Sequence, residues 1–400
     1  MEGKLQVNVF RQTEGAPQAG AVVEILDENT NNVVEELVTD SSGKTAIVDL
    51  AAPPVEDSRN SEIETRPYSV YNLRIRSEGL VENNIDGVQI LPASLASQNV
   101  FMVPDDRNIE IPDHTLYGIF PPKTPEDEVK PLPPAVGNVV LSRPVIPEFV
   151  VVHDGVPSDT RAANYYVPFK DYINNVASCE IYSTWPNDCI KANVLAIISF
   201  VLNRVYTEWY RSRGYNFTVT SSTAYDQAFV YGRNIFSQIS DVVDQVFTNF
   251  ITRPNIRQPL FTQYCDGRRT SCPGWMTQWG SMYLADEGYD YMQILRNFYG
   301  QDIYLDQAVG VEGIPVSFPG TPLQVGSSGG NVRTIQEQLN AISNNYPLIP
   351  KVAANSFYGE ETAEAVKVFQ GIFNMPQSGI VDYSTWYEIS RIFVAVTQIA

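Results

Sequence analysis

The chain is short of histidine, cysteine and positive charge, and each shortage removes a class of chemistry. Its 400 residues include two histidines, His114 and His153, and neither lies near a cysteine pair. Zinc sites with CxxC or HxxxH spacing are therefore absent, and no metal ligand set or cofactor is expected. A Ser-His-Asp or Cys-His enzyme would have to use His153, which ends the valine-rich strand pattern at 149–152. Of the four cysteines, Cys265 and Cys272 are close enough to close a small loop. Cys179 and Cys189 flank the turn after Glu180, and the sequence leaves open whether either pair is bridged. Lys and Arg number 27 against 46 Asp and Glu, a formal charge of −19. That balance argues against nucleic acid or anionic membrane as partners. It also gives no long-range attraction to an acidic polymer, so an anionic glycan would be held by local contacts. No apolar run reaches the roughly 18 residues of a membrane span. The longest, residues 194–202, ends at Asn203-Arg204 and reads as a buried core helix. Residues 1–6 alternate like a strand and contain no secretory apolar core. Either the chain is not secreted by the usual route, or a leader precedes this numbering.

What is present is a globular chain of 44% hydrophobic residues, long enough for two or three domains. Residues 1–104 show short alternating runs at 5–9, 21–26, 33–38, 68–75 and 100–103, broken by Gly, Pro, Asn and Asp. This spacing predicts a β-sandwich. Residues 105–147 carry nine prolines from Pro112 to Pro147, with Glu126, Asp127 and Glu128 among them. They read as an extended, protease-accessible linker. Residues 148–318 are mixed but mostly helical. Ser183 or Thr184 can cap a helix with Pro186 in its first turn and Ile190, Val194, Ile197, Val201 and Val205 at helical spacing. Residues 319–400 hold two similar units, each with a glutamine (Gln336, Gln370) just after an apolar residue, and Trp386 opens a third helix. A three-helix module follows. The fold class is multidomain α+β.

Glu180 is the most informative residue. Ile173, Val176 and Ala177 form the apolar face of a short helix, and Glu180 lies four residues after Val176 and three after Ala177. It continues that face instead of the wet one. A carboxylate there is either paired or has a raised pKa, which is what a general acid needs.

Several segments resemble known families. The run from Gly15 to Leu50, with its strand, Pro-Gly turn and Thr-Asp-x-x-Gly turn, resembles the transthyretin-like or carboxypeptidase-regulatory sandwich family, which implies fold alone. Leu323-Gln324-Val325-Gly326, Ile335-Gln336, Phe357-Tyr358-Gly359, Phe369-Gln370 and Thr385-Trp386 resemble the type 1 peptidoglycan-binding domain. Asn355-Ser356 stands where that family has Asp-Gly. In the middle, Val167-Pro168 to Tyr172, Glu180, Trp185-Pro186 and Lys191-Ala192 resemble the SpoIID/LytB family of lytic transglycosylases and amidase modifiers. So do Gln278-Trp279-Gly280, Gly288-Tyr289 and Ile294-Leu295. The resemblance implies Glu180 as catalytic acid/base and Lys191 as an active-site basic residue. Tyr225, Asp226 and Gln227 fall where zinc-dependent relatives carry His-Cys-Gln, so the metal is expected to be lost. Ile198 stands where those relatives have an arginine. The whole order resembles the clostridial spore cortex-lytic enzymes of the SleC type. That likeness implies a precursor stored in the bacterial spore, acting on cortex peptidoglycan and cut by a subtilisin-like germination protease between about Pro121 and Val152.

The implied chemistry needs one carboxyl group. Glu180 would protonate the leaving glycosidic oxygen, then take the proton from the C6 hydroxyl of muramic acid as it attacks its own anomeric carbon, giving a 1,6-anhydro end. Lys191 could orient Glu180 or remain a surface lysine. Asp226 could be a second carboxylate or, more simply, a helix cap. Tyr182 and Trp185 are the expected sugar-stacking residues, with Tyr225 and Gln227 nearby, whereas Trp279 and Tyr289 are expected in the core. The departures at the metal and arginine positions favour a second reading, a non-catalytic peptidoglycan-binding protein that enhances a wall amidase. A third is a structural coat protein.

Overall fold

The computed structural model describes residues 1–102, 108–132, 143–316 and 318–397. Eight strands occupy the N-terminal part: β1 (Glu2–Phe10), β2 (Val22–Asp27), β3 (Val33–Val38), β4 (Val48–Ala51), β5 (Ser69–Arg76), β6 (Asn83–Ile90), β7 (Leu95–Phe101) and β8 (Asn108–Glu110). β1 pairs antiparallel with β4 and parallel with β7, while the second sheet runs β3-β2-β5-β6-β8. Period-two alternation puts Leu5, Val7 and Val9 of β1 in one core with Val23, Ile25, Leu73 and Ile85 of the other sheet. The alternating runs of the sequence thus become strands. β4, β6 and most of β7 were not expected, and β6 shows why: Asn83, Asn84, Asp86 and Gly87 read as turn residues. Gly87 sits at φ +92°, and a Cβ there would come within 2.3 Å of the Ile111 carbonyl oxygen. The glycine lets β6 bulge against the chain leaving β8.

The central part contains β9 (Phe149–His153), β10 (Asn164–Pro168), α1 (Phe169–Glu180), α2 (Asn187–Tyr206), β11 (Val219–Thr220), β12 (Ile235–Phe236), α3 (Ser237–Val246), α4 (Gln278–Asp286) and α5 (Tyr291–Tyr299). α2 is long and apolar enough to cross a membrane, but 89% of that stretch is buried inside the protein, so it is the core helix. Pro186 occupies its N-cap with no side-chain cap. Ser183 and Thr184 do something else: their hydroxyls pair with Ser94 and Ser58 of the N-terminal part, both at 2.7 Å. β12 pairs with β7 as an edge strand of the N-terminal sheet. Trp279 is buried as expected, whereas Tyr289 lies 41% exposed, in the turn between α4 and α5. His153 is buried, bonded through Nδ1 to Asn164 Oδ1 (2.8 Å) and stacked on Phe217, so it is a packed ring that bonds no Ser or Cys side chain among the described residues.

The range 105–147 is not a free spacer over its described residues. β8 pairs with β6, and His114, Leu116 and Lys130 are buried against the central part. Residues 133–142 of the expected cleavage region lie outside the described residues.

The C-terminal part is α6 (Gly330–Ile342), α7 (Glu360–Ile372) and α8 (Tyr383–Thr397). The repeated glutamines have one job. Gln336 Nε2 donates to the Phe357 carbonyl and Thr362 Oγ1, and Gln370 Nε2 to the Ile380 carbonyl and Thr385 Oγ1. Each ties its helix to the loop and first turn of the next. α8 starts at Tyr383, which leaves Trp386 buried in its first turn.

A charge cluster joins the three parts. Arg391 of α8 bonds Glu388 and Glu14, and Lys170 of α1 pairs with Asp244 (2.6 Å) and Glu388 (3.2 Å). Asp171 lies beside them with 40% of its side chain open to a cavity. Burial pushes its carboxyl up to about 7, with Glu14 and Glu388 adding to the shift and Arg391 and Lys170 opposing it. A folded pKa above the unfolded one favours the protonated form. This group's stabilising share is therefore whole below about pH 4 and is lost as pH rises through 7. Asp171→Asn should lessen the fall in Tm between pH 5 and pH 8. Calorimetry across that range checks it, and identical slopes would rule the effect out.

Candidate active site

Glu180 is the last residue of α1, and helix phase buries it. Val176 and Ala177 are fully buried on the same face, and Glu180 itself is 3% exposed. Its Oε1 accepts a hydrogen bond from the Ala228 backbone N–H at 2.8 Å. Its Oε2 receives no donor at full hydrogen-bond geometry. Two groups stand beside the carboxyl: the Lys123 ammonium and the Tyr264 hydroxyl. Burial raises the Glu180 pKa, and Lys123, Tyr264 and the Ala228 N–H pull against that rise. The expectation of a carboxyl with raised pKa on an apolar face therefore matches the geometry.

Gln227 and Tyr172 extend the site inward. Tyr172 Oη donates to Gln227 Oε1 (3.0 Å), and Gln227 Nε2 donates to Tyr264 Oη (2.9 Å). Tyr264 accepts from that amide, so its own proton is free to point at the Glu180 carboxyl. Gln227 is thus a positioning residue two steps from the carboxyl, buried where a sugar has no access.

Asp226 is neither a second catalytic carboxylate nor a helix cap. Its Oδ1 pairs with Arg204 Nε at 2.8 Å, and its Oδ2 accepts from Tyr210 Oη, Thr220 N and Thr220 Oγ1 at 2.7–2.9 Å. Both oxygens are taken up, so it is not disposed to bind metal. No cluster of three or more His, Cys, Asp or Glu that could hold a metal occurs among the described residues. Tyr225, Asp226 and Gln227 therefore offer no ligand set for zinc. A guanidinium does reach this region, from Arg204, further along α2 than Ile198.

Lys191 is not at Glu180. It sits on the side of α2 that faces α5, with Nζ 4.3 Å from the centre of the Tyr291 ring. The basic neighbour is Lys123. Its Nζ donates to the Asp226 carbonyl and lies over the rings of Tyr264 (4.7 Å) and Phe200 (5.5 Å). Burial lowers its pKa, while Glu180 and Asp226 support its charge. Nothing in a proline-rich run marks Lys123 as a buried cation. Tyr264 carried one weak signal, its place beside Cys265, which is disulfide-bonded to Cys272. Cys179 and Cys189 are free and buried.

Tyr182 and Trp185 are close to Glu180 in sequence but do not line an open cleft. Tyr182 is 1% exposed and packs on His114 (4.4 Å), Trp185 and Trp279. Trp185 Nε1 donates to the Ser58 carbonyl of the N-terminal part. Tyr225 is half-exposed and gives its carbonyl to Arg204. The space beside Glu180 is a cavity of about 50 Å³, lined on one side by Thr115, Gly118, Phe120, Pro121 and Lys123. A pocket for even a small ligand is several times larger. Residues 114–130 are stitched across it. Thr115 bonds the Cys179 carbonyl, Arg269 Nη1 the Gly118 carbonyl, Thr124 N the Ala224 carbonyl, and Glu126 bonds Arg204.

Among known proteins, residues 328–389 match the peptidoglycan-binding domain family, so the chain carries such a domain over α6, α7 and the first part of α8. No curated protein matches the chain. Solved structures give partial likenesses. The SleB N-terminal domain is 23% identical, covering 19% of this chain and 99% of that one, with a TM-score of 0.17. The Klebsiella pneumoniae 5-hydroxyisourate hydrolase is 19% identical, covering 26% and 91%, with a TM-score of 0.18. The major pilin subunit BcpA of Bacillus cereus is 18% identical, covering 28% of each chain, with a TM-score of 0.16. Likenesses this slight say nothing of activity.

Lys123→Met should move the titration of Glu180 to higher pH, because it removes the cation that holds the carboxyl down. The carbon-13 shift of the Glu180 carboxyl follows this directly. An unchanged titration would show that Lys123 is not electrically coupled to it.

Proposed function

We propose that this chain is a peptidoglycan lytic transglycosylase made as a precursor, with Glu180 as its single acid/base. One observation carries the reading: a buried carboxyl of raised pKa, with one oxygen that no donor reaches at full hydrogen-bond geometry, lines a small cavity that a segment from the N-terminal side covers. The peptidoglycan-binding domain at 328–389 supports the choice of substrate. A protonated Glu180 gives its proton to the glycosidic oxygen, and the resulting carboxylate then takes one from the C6 hydroxyl. Tyr264, held by Gln227, keeps the carboxyl in place through both steps.

Residues 114–130 block this chemistry in two ways. They fill the space a sugar ring needs, and they set Lys123 against Glu180. The ammonium favours the carboxylate form, which cannot act as an acid. Displacing the segment opens the cleft and raises the pKa together. Loss of the N-terminal part also frees Trp185 from Ser58, so the aromatic pair beside Glu180 becomes available to a sugar. A germination protease of the subtilisin type, cutting within 121–152, is the proposed activator, and the spore cortex the proposed location.

Glu180→Gln should fold normally and release no muropeptides from cortex sacculi. Mass spectrometry of the wild-type digest should find 1,6-anhydromuramic ends. Reducing ends would identify a hydrolase, and dissolution by Glu180→Gln would remove Glu180 from the chemistry. If neither form releases product after cutting, the binding protein that enhances an amidase becomes the better reading. Cutting the purified chain within 121–152 and removing the N-terminal fragment should raise the rate at least tenfold, whereas equal rates before and after would refute the precursor.

A further inference from the structure

One dipeptide of the N-terminal part is seated on the C-terminal module by polar groups. After β1 the chain makes a tight turn: Arg11 N–H donates to the Ala16 carbonyl (2.7 Å), Ala16 N–H to the Thr13 carbonyl (3.0 Å), and Gln12 takes a left-handed φ of +65°. The turn carries Glu14-Gly15 to α8 and to the chain just after α6. Three side-chain donors meet it there. Asn345 Nδ2 donates to the Gly15 carbonyl (2.6 Å), Tyr346 Oη to the Glu14 carbonyl, and Arg391 Nη1 to the Glu14 carboxylate. Gly15 lies on the backbone of α8, where a Cβ would come within 2.3 Å of the Ala395 carbonyl oxygen. The seat therefore grips two peptide carbonyls and a carboxylate, with no side-chain body at Gly15.

The donors belong to the module and wait on that one occupant. Glu388 takes Arg391 Nε and Nη2 (3.2 and 2.6 Å), which leaves Nη1 for Glu14; the next oxygen, on Asp171, is 3.8 Å away and beyond hydrogen-bond reach. Asn345 Nδ2 and Tyr346 Oη bond no other group among the described residues. Glu14, Tyr346 and Arg391 also line a cavity of about 990 Å³, which leaves room beside the seat. Asn345 and Tyr346 lie within the matched range 328–389, and Arg391 is two residues past its end. We infer that Asn345, Tyr346 and Arg391 form a site for an acidic peptide, the stem peptide of peptidoglycan, and that Glu14-Gly15 fills it as a built-in stand-in. A stem peptide offers the same groups, amide carbonyls beside a free carboxylate. The choice of peptide rests on the peptidoglycan reading, but the site does not depend on Glu180 being catalytic. An internal occupant lowers apparent affinity to the fraction of time that it leaves the site open. The intact chain thus binds wall less tightly than its binding domain can.

The test is cosedimentation of the full chain with peptide-bearing sacculi. Every form carries Glu180→Gln, so no sacculus is digested and failure of the catalytic reading leaves the measurement intact. Gly15→Val drives the turn off α8 and keeps all three donors, and half-saturation should come at a concentration lower by about fivefold or more. Glu14→Lys sets a cation against Arg391 and should shift binding the same way, which keeps the test decisive if Gly15→Val disturbs β1. Adding Asn345→Leu or Tyr346→Phe removes one donor and should cancel either gain; the phenylalanine keeps the ring packed on Phe373 (5.1 Å). Sacculi stripped of stem peptides by an amidase, which bares the lactyl carboxylate of each muramic residue, should show no gain. Unchanged binding by both opening variants overturns the proposal, as does a gain that survives Asn345→Leu and Tyr346→Phe. A gain kept on stripped sacculi also overturns it, because the lactyl carboxylate would then be the ligand.

Discussion

The guanidinium of Arg204 is wholly buried near the end of α2, and the neighbourhood of Glu180 depends on how that charge is met. An unpaired buried charge costs several kcal/mol, so its two carboxylate partners are held firmly. One is Asp226, which fixes the loop that carries Gln227 and Ala228. The other is Glu126, which fixes the segment passing over the cavity. Ala228 then supplies the N–H that Glu180 accepts, and Gln227 orients Tyr264. A single cation therefore positions both the proposed catalytic group and the segment that closes it off.

That double use explains which parts of the site the sequence made legible. Glu180 could be picked out because its oddity is local: a carboxylate in phase with Val176 and Ala177. The repeated Gln336 and Gln370 were legible for the same reason, since each anchors a loop close by in the chain. Lys123 and Tyr264 were not, because their meaning comes from long-range contact. Proline-rich sequence around Lys123 reads as spacer, and its burial depends on a cavity built from α1, the 223–228 loop and residues 264–278. Lys191 failed for a simple geometric reason: it lies on the face of α2 turned to α5, a direction that helical spacing alone does not relate to Glu180.

The fold shows the same division. Strands with clean alternation, such as β1 and β2, were readable, as were the apolar helices. β6 was hidden by asparagines and a glycine that serve a bulge. The role of Ser183 and Thr184 was misread because a hydroxyl before a proline looks like a helix cap. Here both hydroxyls face the N-terminal part, a neighbour that no local pattern reveals.

The pairing of β12 with β7 has a kinetic consequence. Ile235 and Phe236 belong to the central part, yet they complete a sheet begun by residues 2–10. Breaking one peptide bond in the 121–152 region leaves that pairing, the shared core and the Ser58 and Ser94 contacts in place. A chain cut there would remain a two-chain complex, and any opening would wait on the dissociation of one fragment from the other. The shared sheet edge would then contribute to a delay, together with the core and the hydroxyl contacts that hold the same two fragments.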